Sequence, residues 1–123
     1  MKHLHTAIQI RTKSEVEDFY EKILGFECQY DFKLESPLTA KIFGRHQDVQ
    51  VFNIKRDDVV LELFVDPEIE VHEAYTHVCL KLNKRKEVIA KARKAGYEVI
   101  EVARNNGAVY FIKDYSGNMF EIK

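Results

Sequence analysis

The sequence predicts an α+β protein built from two similar βαβββ modules. Three observations carry that reading. The order of elements occurs twice along the chain. Within each half the hydrophobic period switches from two to about 3.6 and back, as strands and a helix require. The composition, 46% hydrophobic and 32% charged over 123 residues, is that of one globular domain.

His3 to Arg11 alternates and is rich in β-formers, which reads as a strand. A helix follows over residues 14–24, with Ser14 as N-cap, Glu17 as its capping-box partner and Gly25 as the stop. Val16, Phe19, Tyr20, Ile23 and Leu24 share one stripe of that helix. Phe26 to Leu34 is a second strand. Ser36-Pro37 to Gly44 is a short helix with Pro at its start and Gly at its end. Val49 to Lys55 and Val59 to Val65 are strands joined by an Asp57-Asp58 turn. Asp66 to Ala74 is polar, without a period, and opens on Asp-Pro, so it reads as the linker between a first module of about 1–66 and a second of about 75–123. The pattern then restarts. Tyr75 to Leu82 is a strand, Lys84 to Ala95 a helix stopped by Gly96, and Tyr97 to Ala103 a strand. Ala108 to Lys113 and Asn118 to Lys123 are strands around a turn at 114–117. His5 precedes Gly25 by 20 residues and His77 precedes Gly96 by 19; Leu24-Gly25-Phe26-Glu27 echoes Ala95-Gly96-Tyr97-Glu98. Helices are expected on one face of each antiparallel-rich sheet, with the opposite face left uncovered.

Composition also excludes. Nineteen Lys+Arg against twenty Asp+Glu leave a net charge of −1 and no broad basic face, so no nucleic-acid partner is expected. No apolar run approaches the roughly 18 residues of a membrane span, and the N-terminus lacks the features of a secretory signal. Cys28 and Cys79 form no metal-type spacing and read as reduced thiols of a cytoplasmic protein.

Four polar side chains break the strand pattern. Thr6, Ile8 and Ile10 share one face of the first strand; His5, Ala7 and Gln9 share the other. Val59, Leu61 and Leu63 oppose Val60, Glu62 and Phe64. Val78 and Leu80 oppose His77 and Cys79; Phe120 and Ile122 oppose Met119 and Glu121. Each half thus carries one His on its first strand and one Glu on its last, on the face away from the apolar one. Glu62 lies in Val-Val-Leu-Glu-Leu-Phe-Val, where an isolated buried carboxylate costs several kcal/mol unless it is neutralised. A bound divalent metal or a solvent-lined cleft removes that cost. Two imidazoles and two carboxylates suit Zn, Ni, Fe or Mn. A carboxylate simply pointing to solvent from an open sheet face is the competing reading.

At these residues the chain resembles the vicinal oxygen chelate superfamily, also called the glyoxalase/bleomycin-resistance/dioxygenase fold. The resemblance runs through His5-Thr6-Ala7-Ile8, Asp18-Phe19-Tyr20, Leu24-Gly25-Phe26-Glu27, Leu61-Glu62-Leu63-Phe64, Thr76-His77-Val78 and Phe111-Ile112-Lys113-Asp114 to Ser116-Gly117-Asn118, ending at Phe120-Glu121-Ile122. It implies two βαβββ modules whose sheets make a cup around one metal, helices on the outer face, with His5, Glu62, His77 and Glu121 as ligands. It further implies an isomerase or lyase similar to bacterial glyoxalase I, acting on a 2-oxoaldehyde hemithioacetal. Glu121 would then be the base and Glu62 its partner on the other face of the substrate, and the chain would pair as a homodimer. Two positions depart from the glutathione-using pattern: Gln9 stands where an Arg is usual, and Asp66 where an Asn is usual. A thiol other than glutathione is therefore expected.

Competing functions on the same fold are a metal-free drug- or metabolite-binding protein and a thiol transferase to an antibiotic. The complete His-Glu-His-Glu set counts against both. Arg104, Asn105 and Lys113 are candidates for an anion site and Tyr75 for the pocket wall, though solvated loop and strand-edge residues, and for Tyr75 a packed aromatic, are the favoured readings. His3, His46 and His72 have no partner pattern, and Lys81, Lys84, Arg85 and Lys86 read as a solvated helix start.

Overall fold

The structure is a computed structural model, and it describes residues 1–70 and 75–123. His72 and the rest of 71–74, within the expected linker, lie outside the described residues. The chain divides into two compact units, Met1–Ile69 and Glu70–Lys123.

Unit one holds β1 (Thr6–Ile10), a π-type helix (Val16–Glu21), β2 (Glu27–Leu34), α1 (Ser36–Phe43), β3 (Val49–Arg56) and β4 (Val59–Val65). Its sheet has the order β1-β4-β3-β2, with β1 and β4 parallel and the other neighbours antiparallel. Unit two holds β5 (His77–Leu80), α2 (Arg85–Lys94), β6 (Val99–Arg104), β7 (Gly107–Lys113) and β8 (Met119–Ile122). Its sheet repeats the order as β5-β8-β7-β6, again with first and last strands parallel. The expected α+β architecture of two βαβββ modules is therefore present. In each unit the first strand joins the last because a parallel pair needs a crossover, and the helix after the first strand begins one.

The strand alternation is followed. Ile8, Ile10, Leu61 and Leu63 are buried, as are Phe19, Tyr20 and Leu24 from the π-type helix. In unit two Leu80, Phe120 and Ile122 are buried with Val88, Ile89 and Ala92 of α2. These sets put an apolar core on one face of each sheet; the other face of the first sheet carries Glu62 together with the buried Val49 and Val51 and with Phe64.

Three local expectations are corrected. The first helix begins at Ser14 as expected, with its π-type part over Val16–Glu21, but no capping box forms. Glu15 folds back instead, accepting hydrogen bonds from the Arg11 and Thr12 backbone N–H groups at 3.1 and 3.0 Å, while Glu17 pairs with Lys22. A nearly fully buried Glu15 carboxylate thus satisfies the turn that leaves β1, while Ser14 Oγ meets Thr12 Oγ1 at 3.1 Å. The helix is also widened, with Lys22 N–H donating to Glu17 O and Leu24 N–H to Phe19 O.

The second correction concerns Asp66, which is structural rather than part of a solvated linker. It is 4% exposed; its N–H extends the ladder to Ile10 O at 2.8 Å, and its carboxylate meets Arg45 Nη2 at 2.5 Å. Thirdly, the face of the first sheet read as uncovered is flanked by α1. Phe43 at the end of α1 packs edge-on against Phe64, with ring centroids 5.7 Å apart.

Candidate metal centre

Each unit places one imidazole beside one carboxylate by the same device. In unit one Ala7 pairs with Glu62 across the parallel β1–β4 ladder, and His5 stands two residues before Ala7. In unit two Cys79 pairs with Glu121 across β5–β8, and His77 stands two residues before Cys79. Side chains two apart on a strand share a face, so both His–Glu contacts are diagonals of equal offset. His5 Nε2 lies 3.4 Å from Glu62 Oε2, and His77 Nε2 lies 3.6 Å from Glu121 Oε2. The Glu side chains are 15% and 16% exposed and the imidazoles 46% and 37%, so both pairs are reachable from solvent. The carboxylates therefore neither sit unpaired in a dry core nor hang free in water.

The His5–Glu62 separation lies at the upper edge of what two ligands of one metal show, and His77–Glu121 lies about 0.2 Å beyond it. Two donor atoms, each about 2.1 Å from a metal at angles between tetrahedral and octahedral, stand about 3.0–3.4 Å apart. The orientation of His77 suits a ligand. Its Nδ1 lies 2.7 Å from Tyr75 O and donates to that carbonyl, which leaves the Nε2 lone pair toward Glu121. The ring is further held edge-on by Phe111, 5.6 Å between centroids. Each unit contributes two such donors. Among the described residues no group of three or more His, Cys, Asp or Glu gathers to hold a metal.

Glu121 has two partners that the sequence reading did not assign. Cys79 stands opposite it across the ladder, and Lys123 Nζ lies 3.3 Å from Oε1. Cys79, then Lys123, holds its carboxyl below the usual carboxylate range, against a partial desolvation that acts the other way. Partial burial and the same carboxylate push the Cys79 thiol up, which keeps it protonated. A group whose folded pKa is depressed stabilises the fold above its unfolded value, and that contribution is lost as pH falls through the folded value. In metal-free protein, carboxyl NMR is expected to give Glu121 a midpoint below that of an ordinary Glu, rising in Cys79→Ala. An unchanged midpoint in that variant would show that the thiol does not act on it. Cys79 was detectable in the sequence as a residue on the His77 face, but only the ladder puts it opposite Glu121.

Other candidates are not brought to a site. Arg104 and Asn105 lie at the exposed tip of the β6–β7 hairpin, several residues from Phe111, which pairs with Glu121. Lys113 is taken by Glu98 at 3.5 Å. Tyr75 neither packs nor lines a wall: its side chain is fully exposed, and only its carbonyl is used. Cys28 and Cys79 are both free thiols.

A cleft of about 310 Å³ opens on the Glu62 face of unit one. Ala7 and Gln9 of β1 and Phe64 of β4 form its floor, and Phe43 of α1 with Arg45 and Asp66 forms its wall. Both positions that depart from the glutathione-using pattern, Gln9 and Asp66, therefore line one cleft. Arg45 was missed because its partner is 21 residues away and no local spacing announces the pair.

The model of the Glyoxalase/Bleomycin resistance protein/Dioxygenase superfamily matches residues 2–122. A search of curated proteins finds no match. Among solved structures, a glyoxalase family protein from Bacillus cereus superposes with a TM-score of 0.75 at 16% identity, covering 99% of this chain and 92% of that one. The trypanothione-dependent glyoxalase I of Leishmania major gives 0.72 at 22% identity, covering 99% and 85%. The fosfomycin resistance protein FosX of Listeria monocytogenes, in complex with Mn(II) and sulfate, gives 0.72 at 13% identity, covering 98% and 89%. At these identities the likeness is one of fold. No helix among the described residues is long and apolar enough to cross a membrane. With the family model spanning nearly the whole chain over a twice-repeated βαβββ unit, this protein belongs to the glyoxalase/bleomycin resistance protein/dioxygenase superfamily.

Proposed function

We propose that the protein is a metal-dependent isomerase or lyase of the glyoxalase I type, acting on a small 2-oxoaldehyde hemithioacetal whose thiol is not glutathione. The observation that carries this is the equivalence of the two His–Glu pairs. They share one ladder offset and differ by 0.2 Å in separation, from 3.4 to 3.6 Å. Such a repeat serves a shared ligand set, with His5, Glu62, His77 and Glu121 completing one site in a homodimer. These four side chains would hold a divalent metal of the Ni, Zn, Fe or Mn kind, which would supply Lewis-acid activation of the C–H beside the substrate carbonyl.

The chain's own residues then handle the proton. Glu121, kept ionised by Cys79 and Lys123, takes it from the carbon bearing sulfur. It is returned to the adjacent carbon, with Glu62 facing the substrate from the other side. His5 and His77 hold the site and transfer no proton in this scheme. The net change is an isomerisation of the hemithioacetal to a 2-hydroxyacyl thioester, with no redox partner needed.

The test is direct. Protein supplied in turn with Ni, Zn, Mn or Fe is mixed with methylglyoxal and a series of thiols, and products are followed by proton NMR. Thioester formation with at least one small thiol, and little with glutathione, is expected. No thioester with any pairing overturns the reading. The likeness to fosfomycin resistance proteins favours one second reading, transfer of a thiol to an antibiotic; fosfomycin consumption in the same mixtures would select it.

A further inference from the structure

The cleft beside Glu62 has a chemistry of its own. It lies on the same face of the sheet as the His5–Glu62 pair, next to it along the ladder. Ala7 is the ladder partner of Glu62, and Gln9 the partner of Phe64, one row further along the same face. Two residues of parallel strand advance about 6.6 Å. A group attached to a molecule held at Glu62 thus reaches the cleft across Ala7, where the side chain is smallest. The volume of about 310 Å³ sits at the small end of ligand pockets, room for one ring-sized group rather than a peptide arm. Phe43 and Phe64, packed edge-on, present an aromatic corner to it.

Its only two charges cancel each other. Arg45 Nη2 lies 2.5 Å from Asp66 Oδ2, and Asp66 Oδ1 accepts the Glu68 N–H at 3.0 Å. The Asp66 side chain is 6% exposed. An incoming carboxylate would have to draw Arg45 away and leave a buried carboxylate without its counter-charge, which is the costly way to break an ion pair. The pair therefore acts against anionic ligands, while an uncharged aromatic or branched group loses water at no such cost.

We propose that this cleft selects a substrate with an uncharged, ring-sized group next to its chelating oxygens, and that the Arg45–Asp66 pair excludes carboxylate-bearing ones. The inference rests on the functional reading above for the position of the oxygens, but not for the preference itself.

Three probes with two adjacent oxygens separate the possibilities: benzohydroxamate, acetohydroxamate and 4-carboxybenzohydroxamate. Each is titrated into metal-free protein, and again with one equivalent of Mn(II), following the methyl resonances of Ala7 and Val49. Benzohydroxamate is expected to bind at least about tenfold more tightly than either of the others, the span that one well-buried ring supplies. Asp66→Asn is expected to bring the carboxylated probe to within about threefold, because Arg45 then lacks a competing charge. Ala7→Leu, at an exposed position, should weaken benzohydroxamate about tenfold by filling the cleft. Equal affinities for benzohydroxamate and acetohydroxamate, a carboxylated probe as tight as the plain one in wild type, or no binding in either condition would overturn the proposal. A preference that persists in protein taking up no metal would remove the metal reading alone. Metal uptake without the preference would remove this one alone.

Discussion

Glu62→Ala and His77→Ala are each expected to lose the metal. Untagged wild-type protein, analysed by elemental mass spectrometry after loading, should hold about one divalent ion per chain, the stoichiometry of a four-ligand site shared two and two. Removal of one ligand leaves three and should weaken affinity by more than about 100-fold, since even outer partners of such ligands are worth 10–100-fold. Both variants should still fold. Glu62 sits on the face away from the core, between the buried Leu61 and Leu63, which the substitution leaves alone; His77 is exposed. Circular dichroism checks this directly. Wild-type protein that takes up none of Ni, Zn, Mn or Fe would sink the metal-enzyme reading, and the four side chains would be the polar lining of a binding cleft.

A second large effect concerns which chains build the site. Suppose each site takes His5 and Glu62 from one subunit and His77 and Glu121 from its partner. A dimer of one His5→Ala chain and one His77→Ala chain then has one site with both defects and one with none. Mixing two inactive variants, each unable to hold metal, should therefore restore about a quarter of the wild-type sites if subunits mix at random. Sites built within single chains predict no recovery at any ratio. Ultracentrifugation of the same samples measures the dimer itself; a monomer at micromolar concentration would remove the shared-site scheme. The measurement needs no substrate, because metal content alone reads it.

Much of this was legible in the residues. The alternation around His5, Glu62, His77 and Glu121 assigns each to the face opposite the apolar one, and the structure keeps every one of those assignments. The turn before β8 was equally plain. Asp114 accepts the Asn118 N–H at 2.7 Å and its side-chain amide at 2.8 Å, the use of a short acid in a tight turn that its spacing suggests. The expected capping box failed because two acids competed for one turn. Ser14 and Glu17 match the pattern, but Glu15 reaches the same turn with more acceptors and becomes buried. Pattern matching cannot weigh such a competition, because both outcomes obey the local rules.

The sequence by itself determined the architecture and the strand face that carries the histidines and glutamates, because strand period and element order are local properties that repeat along the chain. Only the tertiary structure decided what stands beside them. The parallel register sets Cys79 against Glu121 and Ala7 against Glu62; a shift of one residue would have changed both partners and faces. The Arg45–Asp66 pair and the Phe43–Phe64 corner each join residues 21 apart, brought together when α1 comes to lie against the sheet. Pairings at that distance depend on how the chain closes on itself, and no spacing in the sequence records it.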